Sequence, residues 1–311
     1  MPNASVLTSY GPPQVLEWKQ VAMPEPGAGE IRIRVRAAGV SPTDAKIRRG
    51  DLAEAFPLRG DGVLGFEAAG VVDALGPGAN SVALGDAVAA FLPRLGGYAE
   101  YAIASSWTPK PDSVSWADAA ALPVAAEAAV GTLKELHVKS GDSLLILGAA
   151  GSVGVIATQL ALAAGLTVYA AAAPGDHELL RELGAVPVRY GASLLVEVRA
   201  HTEHVDAVLD AAGKGGLTDA LTLAGGPTRV VTLADEKAAE LGVAFSGPRP
   251  DRAPEALDET MPRLASGALR LRRELRLPMQ RAFQAHELLE KGTAHEKLVL
   301  VVESQPGKES R

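Results

Sequence analysis

Three glycines interrupt an apolar segment between residues 144 and 165, where the sequence reads LLILGAAGSVGVIATQLALAAG. An apolar strand runs into Gly148, and after Gly151 and Gly154 apolar residues repeat at helical spacing. Glycines allow a tight turn and a close approach of a ligand to the backbone, and the N–H groups that begin a helix face an anion. The turn is therefore either a phosphate site or a tight strand-to-helix connection without a ligand.

The surroundings of this turn favour a dinucleotide. The order of elements matches the G-x-G-x-x-G fingerprint: a strand, a glycine turn, a helix and, about twenty residues further on, a second strand. Alanine replaces the first glycine of the motif. Gly151 would let the pyrophosphate approach, and Gly154 would let the helix pack on the strand. The residues predicted to line the pyrophosphate are Ala149, Ala150, Gly151, Ser152, Val153 and Gly154.

The end of the second strand selects the cofactor. NAD enzymes usually carry Asp or Glu there to bind the ribose, whereas residues 169–174 read YAAAAP, so NADPH is favoured over NADH. Asp176, slightly further on, argues against this choice. The candidate partners of the 2′-phosphate are His177, Arg189 and Tyr190, each of which could equally be an ordinary surface residue. Three residues in predicted strands complete the cofactor site: Ala172, Asp210 and Leu233.

The elements that must position this turn change character along the chain. Residues 31–40 alternate isoleucine and valine with arginine, which predicts a half-buried strand, and regularly spaced glycines predict a barrel-like β unit over residues 1–118. Alternating strands and helices predict a doubly wound parallel sheet over 119–253. Residues 254–311 add helices and a final apolar strand, and the tail 304–311 is predicted to be disordered.

Composition excludes several function classes. The 311 residues carry a formal net charge of −7, which argues against a nucleic-acid or anionic-membrane partner. The absence of cysteine excludes disulfides and cysteine-bound zinc. The N-terminus does not resemble a secretory signal, and no apolar run is suited to span a membrane, so we expect a cytoplasmic protein.

Several short motifs follow one another in a fixed order: AAGVSPTDAKIRRG (37–50), GFEAAGVVDALGPG (65–78), GGYAEYA (96–102), GAAGSVG (148–154), VDAVLDAAG (205–213) and KLVLVV (297–302). Over almost the whole chain they resemble the medium-chain dehydrogenase/reductase superfamily, and within it the zinc-free quinone oxidoreductases and zeta-crystallin-like enzymes. The resemblance implies an α/β protein with a GroES-like β-barrel domain from both chain ends and a Rossmann nucleotide-binding domain between them. It also implies a homodimer, which we expect to form through an edge strand at residues 228–234.

The same resemblance allows the zinc-ligand positions of the superfamily to be compared with this sequence. Zinc alcohol dehydrogenases carry a cysteine ligand near the position of Ser41 and a histidine ligand at the position of Phe66. None of the six histidines lies in these β segments, so we predict no metal. Alcohol oxidation is disfavoured without a Lewis acid, and the predicted activity is NADPH-dependent reduction of a small-molecule quinone or α,β-unsaturated carbonyl.

The predicted catalytic residues are Ser41, Asp44, Lys46 and Glu127. Compared with quinone oxidoreductases, Ser41 replaces an asparagine and Lys46 a tyrosine of some relatives. Lys46 could donate a proton or be an exposed lysine on a turn, and Asp44 could act or only cap that turn. Glu127 could be a buried carboxylate at the substrate or an exposed helix residue.

Further departures leave other functions open. Ala128 replaces a threonine near the nicotinamide amide, and His295 replaces an arginine. These changes motivate an alternative function, a cyclase or isomerase that binds the cofactor without oxidising it. A non-enzymatic RNA-binding protein is disfavoured by the negative charge and by the lack of a basic aromatic surface.

Overall fold

A computed structural model describes residues 1–247 and 251–302, so the tail 304–311 lies outside the described residues. The chain divides into two compact units, whereas the sequence analysis places divisions after residues 118 and 253. The first unit comprises Met1–Val124, Leu257–Ser266 and Arg273–Arg311, and the second comprises Ala125–Ala256 and Gly267–Arg272.

The strands in chain order are β1 (Asn3–Leu7), β2 (Leu16–Gln20), β3 (Ile31–Gly39), β4 (Gly62–Val63), β5 (Glu67–Leu75), β6 (Ala87–Phe91), β7 (Tyr101–Ala104), β8 (Ser106–Pro109), β9 (Ser143–Leu147), β10 (Thr167–Ala172), β11 (Val186–Arg189), β12 (Ala207–Asp210), β13 (Val230–Thr232), β14 (Ala244–Phe245), β15 (Glu274–Pro278) and β16 (Lys297–Val301). The α-helices are α1 (Pro42–Arg49), α2 (Trp116–Ala121), α3 (Pro123–Glu135), α4 (Ser152–Ala163), α5 (His177–Glu182), α6 (Leu194–Arg199), α7 (Leu217–Ala224), α8 (Ala256–Ala265) and α9 (Ala282–Lys291). Within the described ranges, none of these helices combines the length and apolar character needed to cross a membrane.

The first unit is built on two sheets. One has the order β2-β1-β4, and the other has the order β15-β16-β3-β5-β6-β8, with β7 also paired to β3. The strand predicted at residues 31–40 is confirmed as β3, in which Ile31, Ile33 and Val35 are buried and Arg34 is exposed. Strand β16 pairs with β3, so the C-terminal part of the chain completes a sheet that the N-terminal part begins.

The second unit is a six-stranded parallel sheet with the order β11-β10-β9-β12-β13-β14. In order of appearance this is 3-2-1-4-5-6, the arrangement of doubly wound dinucleotide-binding folds, so the predicted fold class is confirmed. Leu144, Leu145, Ile146 and Leu147 of β9 are all fully buried, as expected for a central strand covered on both faces.

Two local predictions were wrong. Residues 228–234 do not form an edge strand, because β13 pairs with β12 on one side and with β14 on the other. The last strand of the described sheet is β14, whose two residues are too few to show a strand period in the sequence. The surface turn considered as an alternative for Lys46 is instead part of helix α1, in which proline occupies a favoured early position.

A buried ion pair connects β16 with β5 in the first unit. Lys297 Nζ lies 2.6 Å from Glu67 Oε1 and also donates to the carbonyl of Val40 at 3.0 Å. The second carboxylate oxygen of Glu67 accepts the backbone N–H of Val124 at 2.8 Å. A Cβ atom at Gly39 would lie 2.0 Å from Glu67 Oε1. Position 39 therefore requires a glycine, because the carboxylate of Glu67 lies directly against the backbone of β3 there.

We predict that Lys297→Met lowers the free energy of unfolding by about 3–5 kcal/mol, because it leaves the fully buried carboxylate of Glu67 without its counter-ion. Urea unfolding measures this loss. Arg181→Met, which removes an exposed partner of Glu178, is the control and should cost less than about 1 kcal/mol. A loss at Lys297 no larger than that of the control would contradict the prediction.

Candidate active site

The glycine turn of the second unit joins β9 to α4 through a sharp reversal. Gly148 has a φ of +79°, and the N–H groups of Gly148 and Ala149 both donate to the carbonyl of Ala171 on the neighbouring strand, at 3.0 and 3.1 Å. Gly151 is the N-cap of α4 with extended backbone and provides no side-chain cap. The first N–H groups of an α-helix have no partner within the helix, so this end of α4 can bind an anion through backbone donors.

The glycines of the turn serve different purposes. A Cβ atom at Gly154 would lie 2.2 Å from the carbonyl oxygen of Gly148, so Gly154 is required for packing of helix on strand, as predicted. A Cβ atom at Gly151 would meet only the Gly148 oxygen, at 3.2 Å. This contact is tight but much less severe than the one at Gly154, so a small side chain at 151 needs only a slight shift of the turn. Close approach of a phosphate is the further reason for a glycine there, and this turn fits a dinucleotide.

Three predicted partners of the 2′-phosphate lie around the end of β10. His177 Nε2 is 3.3 Å from the carbonyl oxygen of Ala172, and the Tyr190 N–H donates to the same oxygen at 3.2 Å. Arg189 pairs with Ala172 in strand register; it is exposed and lies 3.7 Å from the carboxylate of Glu197. Direct phosphate contact by these residues stays a prediction.

The hydroxyl of Tyr190 is buried and has no hydrogen-bond partner in the part of the chain that the structure describes. Burial raises the pKa of Tyr190 to about 12, and the charge of Asp210 acts in the same direction. Backbone groups of Lys214 and Gly216 oppose this shift, so the phenol is an un-ionised group that lies close to the start of α7.

Asp210 and Leu233 shape the loop that follows β12. Both oxygens of the fully buried Asp210 carboxylate are used: one accepts the N–H groups of Ala212 and Gly213 at 3.0 Å, and the other accepts the hydroxyl of Thr232 at 2.8 Å. The Leu233 N–H donates to the Asp210 carbonyl at 2.9 Å. These contacts give both residues a role in holding the backbone, and their contact with the cofactor stays a prediction.

Glu127 lies in the second unit, whereas the other predicted catalytic residues lie in the first. Its buried carboxylate accepts Nε of Arg252 at 2.7 Å and also accepts Nη2 of the same guanidinium. The exposed alternative considered for Glu127 is therefore wrong, since its side chain is 7% exposed.

Ser41 and Asp44 form a capping box at the start of α1 in the first unit. The Ser41 hydroxyl accepts the Asp44 N–H, and the Asp44 carboxylate accepts the Ser41 N–H and hydroxyl at 2.8 and 2.6 Å. Its other oxygen accepts the N–H of Gly65 at 3.0 Å. Burial raises the pKa of Asp44 to about 6, opposed by the hydrogen bonds from Ser41. Lys46 lies half-buried on the same helix.

A buried network behind α1 is not among the predicted site residues. Arg48 is fully buried and donates from Nε to Nδ1 of His286 at 3.3 Å, which leaves the proton of the ring on Nε2, 3.2 Å from the Tyr98 hydroxyl. Burial, followed by the charges of Arg48 and Arg49, lowers the pKa of His286 to about 3. Asp44 and Arg48 are four residues apart, which places them on one face of a helix. This spacing is the feature of the sequence that indicates a buried polar face on α1.

This network bears on the metal prediction. Although His286 is outside the β segments in sequence, its ring reaches Tyr98, while Phe66 is buried at the position of the missing histidine ligand. Among residues 1–247 and 251–302, no three His, Asp or Glu side chains are grouped to hold a metal ion. Independence from zinc stays a prediction, which rests on the residue types at positions 41 and 66.

Comparison with known proteins gives matches in both halves of the chain. The family described as alcohol dehydrogenase GroES-like domain matches residues 27–112, and the family described as zinc-binding dehydrogenase matches residues 183–300. A synaptic vesicle membrane protein VAT-1 homolog-like of Mus musculus is 34% identical over 217 residues, 67% of this chain and 50% of that protein. A quinone oxidoreductase of Sus scrofa is 30% identical over 221 residues, 67% of this chain and 62% of that protein. The matched regions thus span about half to three-fifths of these curated relatives.

A solved structure provides an end-to-end comparison. The quinone oxidoreductase from Coxiella burnetii superposes with a TM-score of 0.84 at 30% identity, covering 97% of this chain and 99% of that one. This similarity covers the sheet in which β16 pairs with β3, and it also covers the doubly wound parallel sheet of the second unit. Since a relative of this identity matches nearly end to end, the chain belongs to the medium-chain dehydrogenase/reductase superfamily and is similar to its quinone oxidoreductases.

Proposed function

We propose that this protein is an NADPH-dependent reductase of quinones or α,β-unsaturated carbonyls that works without zinc. The observation that carries the proposal is the turn at Gly148–Gly154, where a helix start without a side-chain cap begins at a glycine whose backbone a phosphate can approach closely. A dinucleotide pyrophosphate is the anion that this turn fits in a doubly wound sheet.

The end of β10 supports NADPH over NADH. Ala172 ends the strand, and no carboxylate stands there to bind the ribose hydroxyls or repel a 2′-phosphate. His177 and Tyr190, whose ring nitrogen and backbone N–H respectively lie beside the Ala172 carbonyl oxygen, are the residues that we assign to that phosphate. Arg189 would add a positive charge at the neighbouring strand end.

The chemistry follows from the residues that replace the zinc ligands. Bound NADPH would supply a hydride to the electron-poor carbon of the substrate. Ser41 and Phe66 offer no metal-binding nitrogen or sulfur, so the negative charge developing on the substrate oxygen must be met by hydrogen-bond donors. Lys46 on α1 is the side chain that we assign to this role, and the Ser41–Asp44 capping box fixes the start of its helix.

We predict that Gly151→Val weakens NADPH binding at least about tenfold while the protein stays folded, because the new side chain occupies the phosphate position. Fluorescence titration measures the dissociation constant. Gly154→Ala is the matched comparison and should instead lower stability, since its Cβ would lie 2.2 Å from the Gly148 oxygen. Unchanged NADPH affinity in a folded Gly151→Val protein would remove the pyrophosphate assignment.

We also predict that the protein oxidises NADPH in the presence of activated enones or quinones, with a lower kcat/KM for NADH and no oxidation of simple alcohols. Loss of NADPH absorbance over a substrate panel, with and without a chelator, measures this. Chelation should leave the rate unchanged. Activity that is lost on chelation and restored by zinc, or a preference for NADH, would contradict the corresponding part of the proposal.

We further propose that the protein is a homodimer paired through β14, the last strand of the described sheet, where Phe245 is 53% exposed. Light scattering at micromolar concentration should give a dimer for the wild type and a monomer for Phe245→Lys. Val196→Lys, at a residue of α6 that is 73% exposed, is the control and should remain dimeric. A monomeric wild type would contradict the proposal.

A further inference from the structure

The ion pair between Glu127 and Arg252 is built into helix α3. The side chains are 7% and 2% exposed, and the guanidinium faces both carboxylate oxygens. Gly131, one helical turn after Glu127, leaves room for the arginine, because a Cβ atom there would lie 2.5 Å from Arg252 Cγ. The arginine is therefore fixed along its stem as well as at its charged end.

The same guanidinium holds the end of β14. Arg252 Nη1 donates to the Ser246 hydroxyl at 2.6 Å and lies 3.3 Å from the Ser246 carbonyl oxygen. Ser246 is buried, and its N–H donates to the carbonyl of Thr232 at 2.9 Å, which continues the ladder between β13 and β14. Glu127 thus acts through Arg252 on the carboxyl end of the outer strands.

The position of this contact relates it to the cofactor. All described strands of this sheet are parallel, so the ends of β9, β12, β13 and β14 meet at one edge, where ligands of such sheets bind. Under the proposed function, the glycine turn after β9 would receive the pyrophosphate, and β10 and β11 would lie on the adenosine side. The strands β12 to β14 therefore face the nicotinamide half.

We propose that the Glu127–Arg252 pair is a positioning element for the nicotinamide half of the cofactor, acting by fixing Ser246 at the end of β14. The proposal rests on the proposed function and gives Glu127 a positioning role in place of the predicted catalytic one. A buried charge pair costs desolvation, and Lys134–Glu255 already connects α3 to the chain after Arg252 on the surface, with side chains 54% and 36% exposed. The exposed pair is sufficient to connect α3 to this part of the chain. The buried pair, in contrast, also fixes the orientation of Ser246.

The test compares NADPH with 2′,5′-ADP, which carries only the adenosine half. In Glu127→Gln and Arg252→Lys, we expect the dissociation constant of NADPH to rise about tenfold while that of 2′,5′-ADP stays within about twofold. Lys134→Met is the control and should change neither constant. Thermal unfolding identifies folded variants, and the two substitutions on opposite sides of the pair keep the test valid if one fails to fold.

Equal weakening of both ligands would reduce the pair to a structural role and overturn the proposal, as would unchanged affinity for both ligands in a folded variant. A wild-type protein that binds NADPH, together with either of these results, leaves the proposed function standing. A wild-type protein that binds neither ligand overturns the proposed function and this inference with it.

Discussion

The first unit depends on one buried charge pair. Lys297 and Glu67 are 230 residues apart in sequence, and their contact brings β16 back to strands formed by the first part of the chain. The lysine also binds the carbonyl of Val40, directly before the helix cap Ser41, while Glu67 follows the segment whose Gly65 N–H is held by Asp44. The ion pair and the capping box therefore hold the same two segments, and α1 with Lys46 takes its position from them.

The second unit obtains its binding capacity from backbone geometry more than from charge. Gly148 turns the chain, Gly154 permits close packing, and Gly151 begins a helix that has no side-chain cap. Such a site recognises a phosphate through donors that need no counter-ion in the absence of ligand. Selectivity for the rest of the cofactor must then come from the strand ends, where Tyr190 and the contacts of Ser246 lie on opposite halves of the sheet.

Local sequence patterns predicted what depends on local spacing. The alternation in β3, the glycine turn and the order of strands and helices after residue 143 were all recognisable, because periodicity and glycine geometry act over a few residues. Helix α1 and the edge strand β14 were missed: the first carries polar capping residues typical of turns, and the second is two residues long. The partners of buried charges could not be predicted, since Glu127 and Arg252 are 125 residues apart and Arg48 and His286 are 238 apart.

The central claim is that hydride passes from NADPH to a conjugated substrate on this protein. The most direct measurement uses NADPH carrying deuterium at the nicotinamide C4 position, with an α,β-unsaturated ketone as substrate and mass spectrometry of the product. The account predicts one deuterium at the β-carbon from one C4 epimer of the labelled cofactor, with one NADPH oxidised for each product formed. A product that forms without deuterium from either epimer and without NADPH oxidation would contradict it and identify a cyclase or isomerase that only binds the cofactor.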